Sequence, residues 1–154
     1  MEPSMQPTTN AAGGEHIMKK QKEQKQGVVL LIEDEEDTAD LIKLHLEQTG
    51  MSVVQAKDGR QAVSMMEDIA PPRAILLDLV IPYINGFELL KIIRTKPGWE
   101  QVPVMVVSGD SFPGDIERML QEGANDYIIK SWGVGVIHHR LQQMLMQKSV
   151  GRVA

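Results

Sequence analysis

Short apolar runs alternate with amphipathic stretches along most of the chain. Val28–Ile32 is apolar at every position, which is typical of a central strand covered on both faces. Further apolar runs predict strands over 51–56, 74–77, 102–107 and 127–129. The intervening and final stretches have helical period and predict helices over 38–48, 61–68, 87–94, 113–122 and 134–147. This order predicts an α/β fold of βα units: a five-stranded parallel sheet with helices on both faces.

The two ends of the chain differ from this pattern. Residues 1–26 contain Pro, Thr, Asn, Gly, Gln and Lys with few aliphatic side chains, so they cannot bury enough surface to offset the entropy of ordering. We expect a flexible N-terminal tail there, native or partly left from cloning, then one domain over 27–147 and a C-terminal tail over 148–154. Because those last residues are too few for another domain, we expect any output to pass through a partner.

Composition narrows the class of protein. The 154 residues, 42% hydrophobic and 24% charged, suit one globular domain with a sizeable core. A net charge of -5 argues against direct nucleic-acid binding through phosphate contacts. The absence of cysteine excludes disulfides, thiolate metal sites and thiol nucleophiles. No apolar run approaches the roughly 20 residues of a membrane helix, and no signal peptide is evident, so we expect a cytoplasmic protein without membrane contact.

Polar residues follow four of the predicted strands. They are Glu33 and Asp34, Asp78, Ser108 and Lys130, each at or just after the carboxyl end of its strand. In an open parallel sheet that edge is where ligands bind. Carboxylates crowded there repel one another unless a cation lies among them, and oxygen ligands without His or Cys suit Mg²⁺. Lys130 can pair with a carboxylate or with phosphate oxygens, and Ser108 can donate a hydrogen bond to those oxygens.

With these residues in this order, the chain from about Gly27 to Met146 resembles the receiver domain of two-component response regulators, of the single-domain chemotaxis-regulator type. The family has the flavodoxin-like (βα)₅ fold. The resemblance rests on four features: Glu33-Asp34 after an apolar strand, Asp78 in Leu77-Asp78-Leu79-Val80-Ile81-Pro82 followed by Gly86, Ser108 ending its strand, and Tyr127-Ile128-Ile129-Lys130.

The resemblance implies a role for each of these residues. Asp78 would accept a phosphoryl group from a histidine kinase or a phosphotransfer protein. Lys130 and Ser108 would assist that transfer, and Ser108 with Tyr127 would form the conformational switch. Mg²⁺ would be the cofactor, held by the side chains of Asp34 and Asp78, by the backbone carbonyl of Val80, and by Glu33 through water.

The resemblance also implies a signalling role. Such a protein is not an independent enzyme, because it catalyses only its own phosphorylation and dephosphorylation. Its partners would be the phosphodonor and a downstream effector protein, and a phosphorylation-dependent homodimer is also compatible.

Two departures from the family pattern concern residues beside the site. Ser131 follows Lys130, where the family usually has a proline after a cis peptide bond. A cis bond before another residue type costs about 2.5–4 kcal/mol, so we expect a trans bond here or a strained cis one. Val80 and Asp110 occupy flanking positions that tune dephosphorylation in the family, so the phosphoryl lifetime does not carry over.

Two other functions fit parts of the pattern. A receiver-like module could signal through protein contacts without phosphorylation. A magnesium-dependent phosphohydrolase of the haloacid-dehalogenase type would also use an aspartate nucleophile, but it typically has a second Asp two residues later, where this chain has Val80.

Purely structural roles are also compatible with some of the single residues. Asp37 or Thr38 could cap the first helix. Tyr127 could be an ordinary half-buried aromatic residue of its strand. We assign no metal to His45 or to the adjacent pair His138-His139, since neither has a second histidine at ligand spacing.

Overall fold

A computed structural model describes residues 27–109 and 113–151, except for the side chains of residues 113 and 148–151. Three sequence features lie outside the described residues: the predicted N-terminal tail over 1–26, Asp110, and residues 152–154 of the predicted C-terminal tail.

Five strands and five helices alternate along the described chain, and one short 3₁₀ turn lies between the last strand and the last helix. In order they are β1 (Val28–Ile32), α1 (Glu36–Gln48), β2 (Ser52–Ala56), α2 (Gly59–Asp68), β3 (Ala74–Leu77), α3 (Gly86–Thr95), β4 (Val104–Ser108), α4 (Pro113–Gln121), β5 (Asp126–Ile129), the turn Lys130–Trp132, and α5 (Val134–Gly151). All strand pairs are parallel, in the order β2-β1-β3-β4-β5. The predicted five-stranded α/β fold is confirmed.

Several element boundaries differ from the predicted ones. Helix α1 begins at Glu36 with Glu35 in the N-cap position, so the alternative that Asp37 or Thr38 caps it is wrong. Strand β4 begins at Val104 rather than Val102. Pro103, which precedes it, has no N–H to donate to a strand ladder. Helix α5 continues to Gly151, past the predicted end at Gln147, because residues 136–150 contain no proline or glycine.

Alternating side chains of the strands build a core on each face of the sheet. On one face, Leu30, Ile75 and Val106 belong to a cluster with buried residues of α2, α3 and α4. On the other face, Leu31 and Leu76 belong to a cluster with α1 and α5. Both faces are therefore covered, which explains why the strands are apolar at nearly every position.

The order of the strands fixes where a ligand site can form. The chain runs outward from β1 to β2 and then returns to β3 on the other side of β1, so the carboxyl ends of β1 and β3 form a switch point. The hydrogen bonding continues one residue past each strand: Glu33 N donates to Ala56 O at 3.0 Å, and Asp78 N donates to Ile32 O at 3.1 Å. These bonds hold Glu33 and Asp78 side by side at that edge. None of the described helices is long and apolar enough to cross a bilayer.

Candidate functional site

The centre of the site is the ammonium group of Lys130, which lies between two buried carboxylates. Its Nζ is 2.8 Å and 3.0 Å from the two carboxylate oxygens of Glu33, and 2.8 Å from Asp78 Oδ2. Glu33 is 2% exposed and Asp78 is 5% exposed. The cation thus joins residues that follow β1, β3 and β5, and it offsets part of the repulsion between the two acids.

A third carboxylate completes an acidic cluster. Glu33, Asp34 and Asp78 each offer an oxygen within 4.8 Å of the others, and Asp34 is exposed while the other two are buried. Burial and the neighbouring Asp78 raise the pKa of Glu33 to about 8, in spite of the opposing effect of Lys130. Without a metal ion, Glu33 therefore keeps a proton near neutral pH, and a further cation in the cluster would favour its ionised form.

Lys130 remains charged in this setting. Burial alone would lower the pKa of its ammonium, but the hydrogen bonds to Asp78 and Glu33 outweigh burial and raise the pKa above its ordinary value. Lys130 is therefore a fixed positive charge beside Asp78, as a compact ammonium group can be.

The backbone after β3 orients the Asp78 carboxylate. Val80 N donates to Asp78 Oδ1 at 3.1 Å, while Lys130 binds Oδ2, so each oxygen has its own donor. Gly86 N donates to Leu79 O at 3.1 Å and closes the loop behind the carboxylate. The side chain of Val80 points away from this contact and is 73% exposed.

Ser108 and Tyr127 lie on the two strands that follow β3 across the sheet. Ser108 is 3% exposed at the end of β4. Tyr127 is 6% exposed and belongs to the apolar cluster on the α2, α3 and α4 face. Tyr127 is thus fully buried rather than half-buried. The catalytic role of Ser108 and the switch roles of Ser108 and Tyr127 stay predictions.

The peptide bond after Lys130 is trans, since the part of the chain that the structure describes contains no cis peptide bond. Lys130, Ser131 and Trp132 form the 3₁₀ turn that leads into α5, and Gly133 N donates back to Lys130 O at 3.1 Å. The Lys130 side chain therefore reaches both acids although Ser131, and not proline, follows it.

Sequence reasoning missed three contacts, of which the first two lie near the site. Gln55 Nε2 donates to Glu33 O at 3.0 Å and fixes the backbone after β1. The guanidinium of Arg60 lies 3.9 Å from the ring centroid of Tyr83, near the loop that carries Val80. The rings of His45 and His138 meet edge to face with centroids 5.1 Å apart. Each joins residues from different βα units, and no local sequence signal marks such pairs.

Comparison with known sequences identifies the family. The sequence model of the response regulator receiver domain matches residues 29–142, which is most of the chain. This chain belongs to the response regulator receiver family. A curated relative, the KDP operon transcriptional regulatory protein KdpE of Escherichia coli, is 33% identical over 121 residues, covering 79% of this chain and 52% of KdpE. The receiver domain thus spans about half the length of KdpE.

Solved structures show the same fold. The receiver domain of a signal transduction histidine kinase from Syntrophus aciditrophicus has a TM-score of 0.70 and 29% identity, covering 79% of this chain and 91% of that one. The receiver domain of the sensor histidine kinase PA1611 from Pseudomonas aeruginosa also has a TM-score of 0.70, with 30% identity and coverage of 77% and 97%. That structure has a magnesium ion coordinated in its active-site cleft.

Membership of the receiver family establishes the fold class and the general signalling function. The flavodoxin-like receiver fold predicted from the resemblance is confirmed, and the chain is a two-component signalling domain. The phosphohydrolase and phosphorylation-independent alternatives gain no support from the relatives.

Proposed function

We propose that Asp78 of this receiver accepts a phosphoryl group from a histidine kinase or a phosphotransfer protein. The observation that carries the proposal is the placement of Asp78: it is a buried carboxylate with one oxygen bound by Lys130 and the other by the Val80 amide. Fixed orientation and fixed charge are what phosphoryl transfer requires of a protein.

The donor set fits Mg²⁺. The cluster of Glu33, Asp34 and Asp78 supplies oxygen ligands only, and a hard divalent cation with several retained waters prefers such ligands. We propose that Asp34, Asp78 and the Val80 carbonyl bind the ion directly and that Glu33 acts through water. Bound there, Mg²⁺ would neutralise negative charge on the phosphoryl oxygens.

The chemical step is a displacement at phosphorus. A carboxylate oxygen of Asp78 forms the new O–P bond, and the P–N bond of the donor phosphohistidine breaks, leaving its electron pair on the imidazole nitrogen. Lys130 keeps a positive charge beside the reacting carboxylate throughout. Ser108 would donate its hydroxyl proton in a hydrogen bond to a phosphoryl oxygen of the product.

The switch follows from that last contact. When Ser108 turns toward the phosphoryl group, it leaves space beside β4, and the Tyr127 ring would follow it. Both residues are buried, so their movement would repack the surface formed by the last two βα units. That surface is where a downstream effector protein, or a second copy in a phosphorylation-dependent homodimer, would read the state of Asp78.

The receiver would act by binding and not as an independent enzyme, since its only reactions are its own phosphorylation and dephosphorylation. We propose a cytoplasmic location, where the catalytic domains of histidine kinases and their phosphotransfer partners operate. The side chain of Val80, two positions after Asp78, has no acid or base group, which argues against the hydrolase alternative.

Mapping the modified residue tests the assignment of Asp78. After incubation with acetyl phosphate and Mg²⁺, borohydride reduces an acyl phosphate and converts the aspartyl residue to homoserine, which peptide mass spectrometry locates. We expect homoserine at position 78 only, with the same result in Asp40→Asn, an exposed aspartate of α1 that serves as the control. Homoserine at position 34, or at none, would contradict the proposal.

A further inference from the structure

The loop between β3 and α3 is fastened at both ends. At its base, Gly86 N donates to Leu79 O at 3.1 Å, and a Cβ on Gly86 would lie only 2.7 Å from Leu79 Cα. At its tip, Gly59 N at the start of α2 donates to Pro82 O at 3.1 Å. The loop therefore contacts α2 as well as its own strand and helix.

Tyr83 at the tip adopts a strained backbone conformation. Its φ is +72°, the one positive value for a residue other than glycine within the described ranges 27–109 and 113–151. Ile84 N donates to Pro82 O at 2.9 Å, which closes a three-residue γ-turn around Tyr83. The γ-turn with positive central φ is rare and unfavourable, so surrounding contacts must hold it.

Arg60 provides such a contact. Its guanidinium carbon lies 3.9 Å from the centroid of the Tyr83 ring, a close cation–π arrangement. Gly59, beside it, would carry a Cβ only 2.5 Å from Ile84 Cβ, so α2 begins in direct contact with the turn. Tyr83 is 67% exposed and gains little from burial, which leaves the Arg60 stack as the contact that orients its ring.

The turn contributes to the position of the Val80 backbone. Val80 is between the base at Leu79 and the tip at Pro82, and its exposed side chain does not anchor it. Its amide nevertheless donates to Asp78 Oδ1 at 3.1 Å. The position of this backbone segment in the site therefore depends on the buried side chains of its neighbours Leu79 and Ile81 together with the two fastenings of the loop.

We propose that Arg60 and Tyr83 form a clamp that positions the Val80 backbone for cation binding and for orientation of Asp78. Both are positioning residues, since neither touches the reacting atoms. The proposal rests on the proposed function, because the Val80 carbonyl matters only if the site binds Mg²⁺.

Mg²⁺ titration calorimetry of the unphosphorylated protein tests the clamp. Arg60→Gln and Tyr83→Asn should each weaken Mg²⁺ binding about two- to fivefold, the effect of an exposed cation–π contact. Tyr83→Phe, which keeps the ring, should bind like the wild type. The double variant Arg60→Gln with Tyr83→Asn should be no weaker than either single variant, because both remove the same contact.

Two features separate the clamp from a general effect of the substitutions. Removing a positive charge near an acidic site would by itself strengthen Mg²⁺ binding, so weaker binding in Arg60→Gln is not a charge effect. Asparagine tolerates positive φ better than tyrosine, so Tyr83→Asn should unfold at the same or a higher denaturant concentration while binding Mg²⁺ more weakly.

Amide hydrogen exchange without Mg²⁺ gives an independent measurement. The Ile84 and Val80 amides should exchange faster in Arg60→Gln than in the wild type, while core amides such as that of Leu76 stay unchanged. If the wild type binds Mg²⁺ and the variants match it in both affinity and exchange, the clamp is refuted while the proposed function stands. If the wild type binds no Mg²⁺, both proposals are refuted together.

Discussion

The Nζ atom of Lys130 lies 2.8 Å from Asp78 Oδ2, although 52 residues separate the two along the chain. The same ammonium contacts both carboxylate oxygens of Glu33. One cation therefore bridges the ends of three strands, and the acids it joins are nearly inaccessible to water. The charge of Lys130 therefore contributes both to the stability of this sheet edge and to the electrostatics of the site.

Removing this cation should destabilise the protein when Mg²⁺ is absent. Lys130→Gln leaves the buried Asp78 carboxylate beside Glu33 without a compensating cation. Since Lys130 is partly exposed, we expect a loss of about 1–3 kcal/mol in the free energy of unfolding, below the 3–5 kcal/mol typical of a fully buried pair. Urea denaturation in a chelating buffer measures it.

Lys57→Gln is the matched control for this experiment. Lys57 also makes a 2.8 Å ion pair, with Glu36, but both side chains are more than half exposed. Its replacement should leave the urea midpoint unchanged within error, because solvent screens exposed pairs. Equal effects of the two substitutions would show that the Lys130 contacts contribute nothing specific.

The stability of the metal-free protein should decrease between pH 7 and pH 9. The pKa of Glu33 is raised from 4.5 in the unfolded chain to about 8 in the fold, so the folded state holds a proton that the unfolded state has released. This contribution to stability is complete below pH 4.5, declines from there as the unfolded chain loses its proton, and is gone once the pH has risen past 8. The expected loss is about 1 kcal/mol from pH 7 to 9.

Glu33→Gln removes the titrating group and should make stability nearly independent of pH over this range. Saturating Mg²⁺ should also abolish the decrease in the wild type, because a cation favours the ionised carboxylates. A wild-type protein whose urea midpoint is the same at pH 7 and pH 9 without Mg²⁺ would contradict the assigned burial and charge of Glu33.

Gly86→Ala should disturb both the fold and the site. The added Cβ would lie 2.7 Å from Leu79 Cα and 3.0 Å from Asp78 O, and neither backbone atom can move without shifting the acid. Overpacking of this kind costs about 1–3 kcal/mol of stability, and Mg²⁺ affinity should fall as well.

Gly135→Ala is the control for Gly86→Ala, because Gly135 also lies at the start of a helix. A Cβ on Gly135 in α5 would meet nothing within 4 Å, so alanine should be neutral or stabilise by up to about 1 kcal/mol. Thermal unfolding of both variants, with Mg²⁺ titration, checks the pair of predictions. Normal stability and Mg²⁺ affinity in Gly86→Ala would contradict the described packing behind Asp78.

The order of the elements could be predicted from the sequence because the three central strands are apolar and buried on both faces, while amphipathic stretches of helical period separate the strands. The strand ends could be predicted too, and since parallel strands end at one edge, Asp34, Asp78 and Lys130 had to lie near each other. The direct contact between Lys130 and both acids could not be predicted, because it depends on side-chain geometry.

Contacts between distant surface segments could not be predicted in this way. Arg94 in α3 donates hydrogen bonds to the carbonyls of Gly123 and Val102. It thereby connects its own helix to the segment just after α4 and to the segment just before β4. Nothing in its neighbourhood along the chain marks it. The stack of Arg60 on Tyr83 and the meeting of His45 with His138 depend equally on how whole helices dock, which periodicity does not determine.

The intact mass of the protein after incubation with acetyl phosphate is the most direct test of the central claim. The wild type should gain the mass of one phosphoryl group when Mg²⁺ is present and none when it is chelated, and Asp78→Asn should gain none in either case. An unmodified wild type with intact acetyl phosphate and Mg²⁺ present, or a gain of mass that persists in Asp78→Asn, would contradict the claim that Asp78 is the phosphoacceptor.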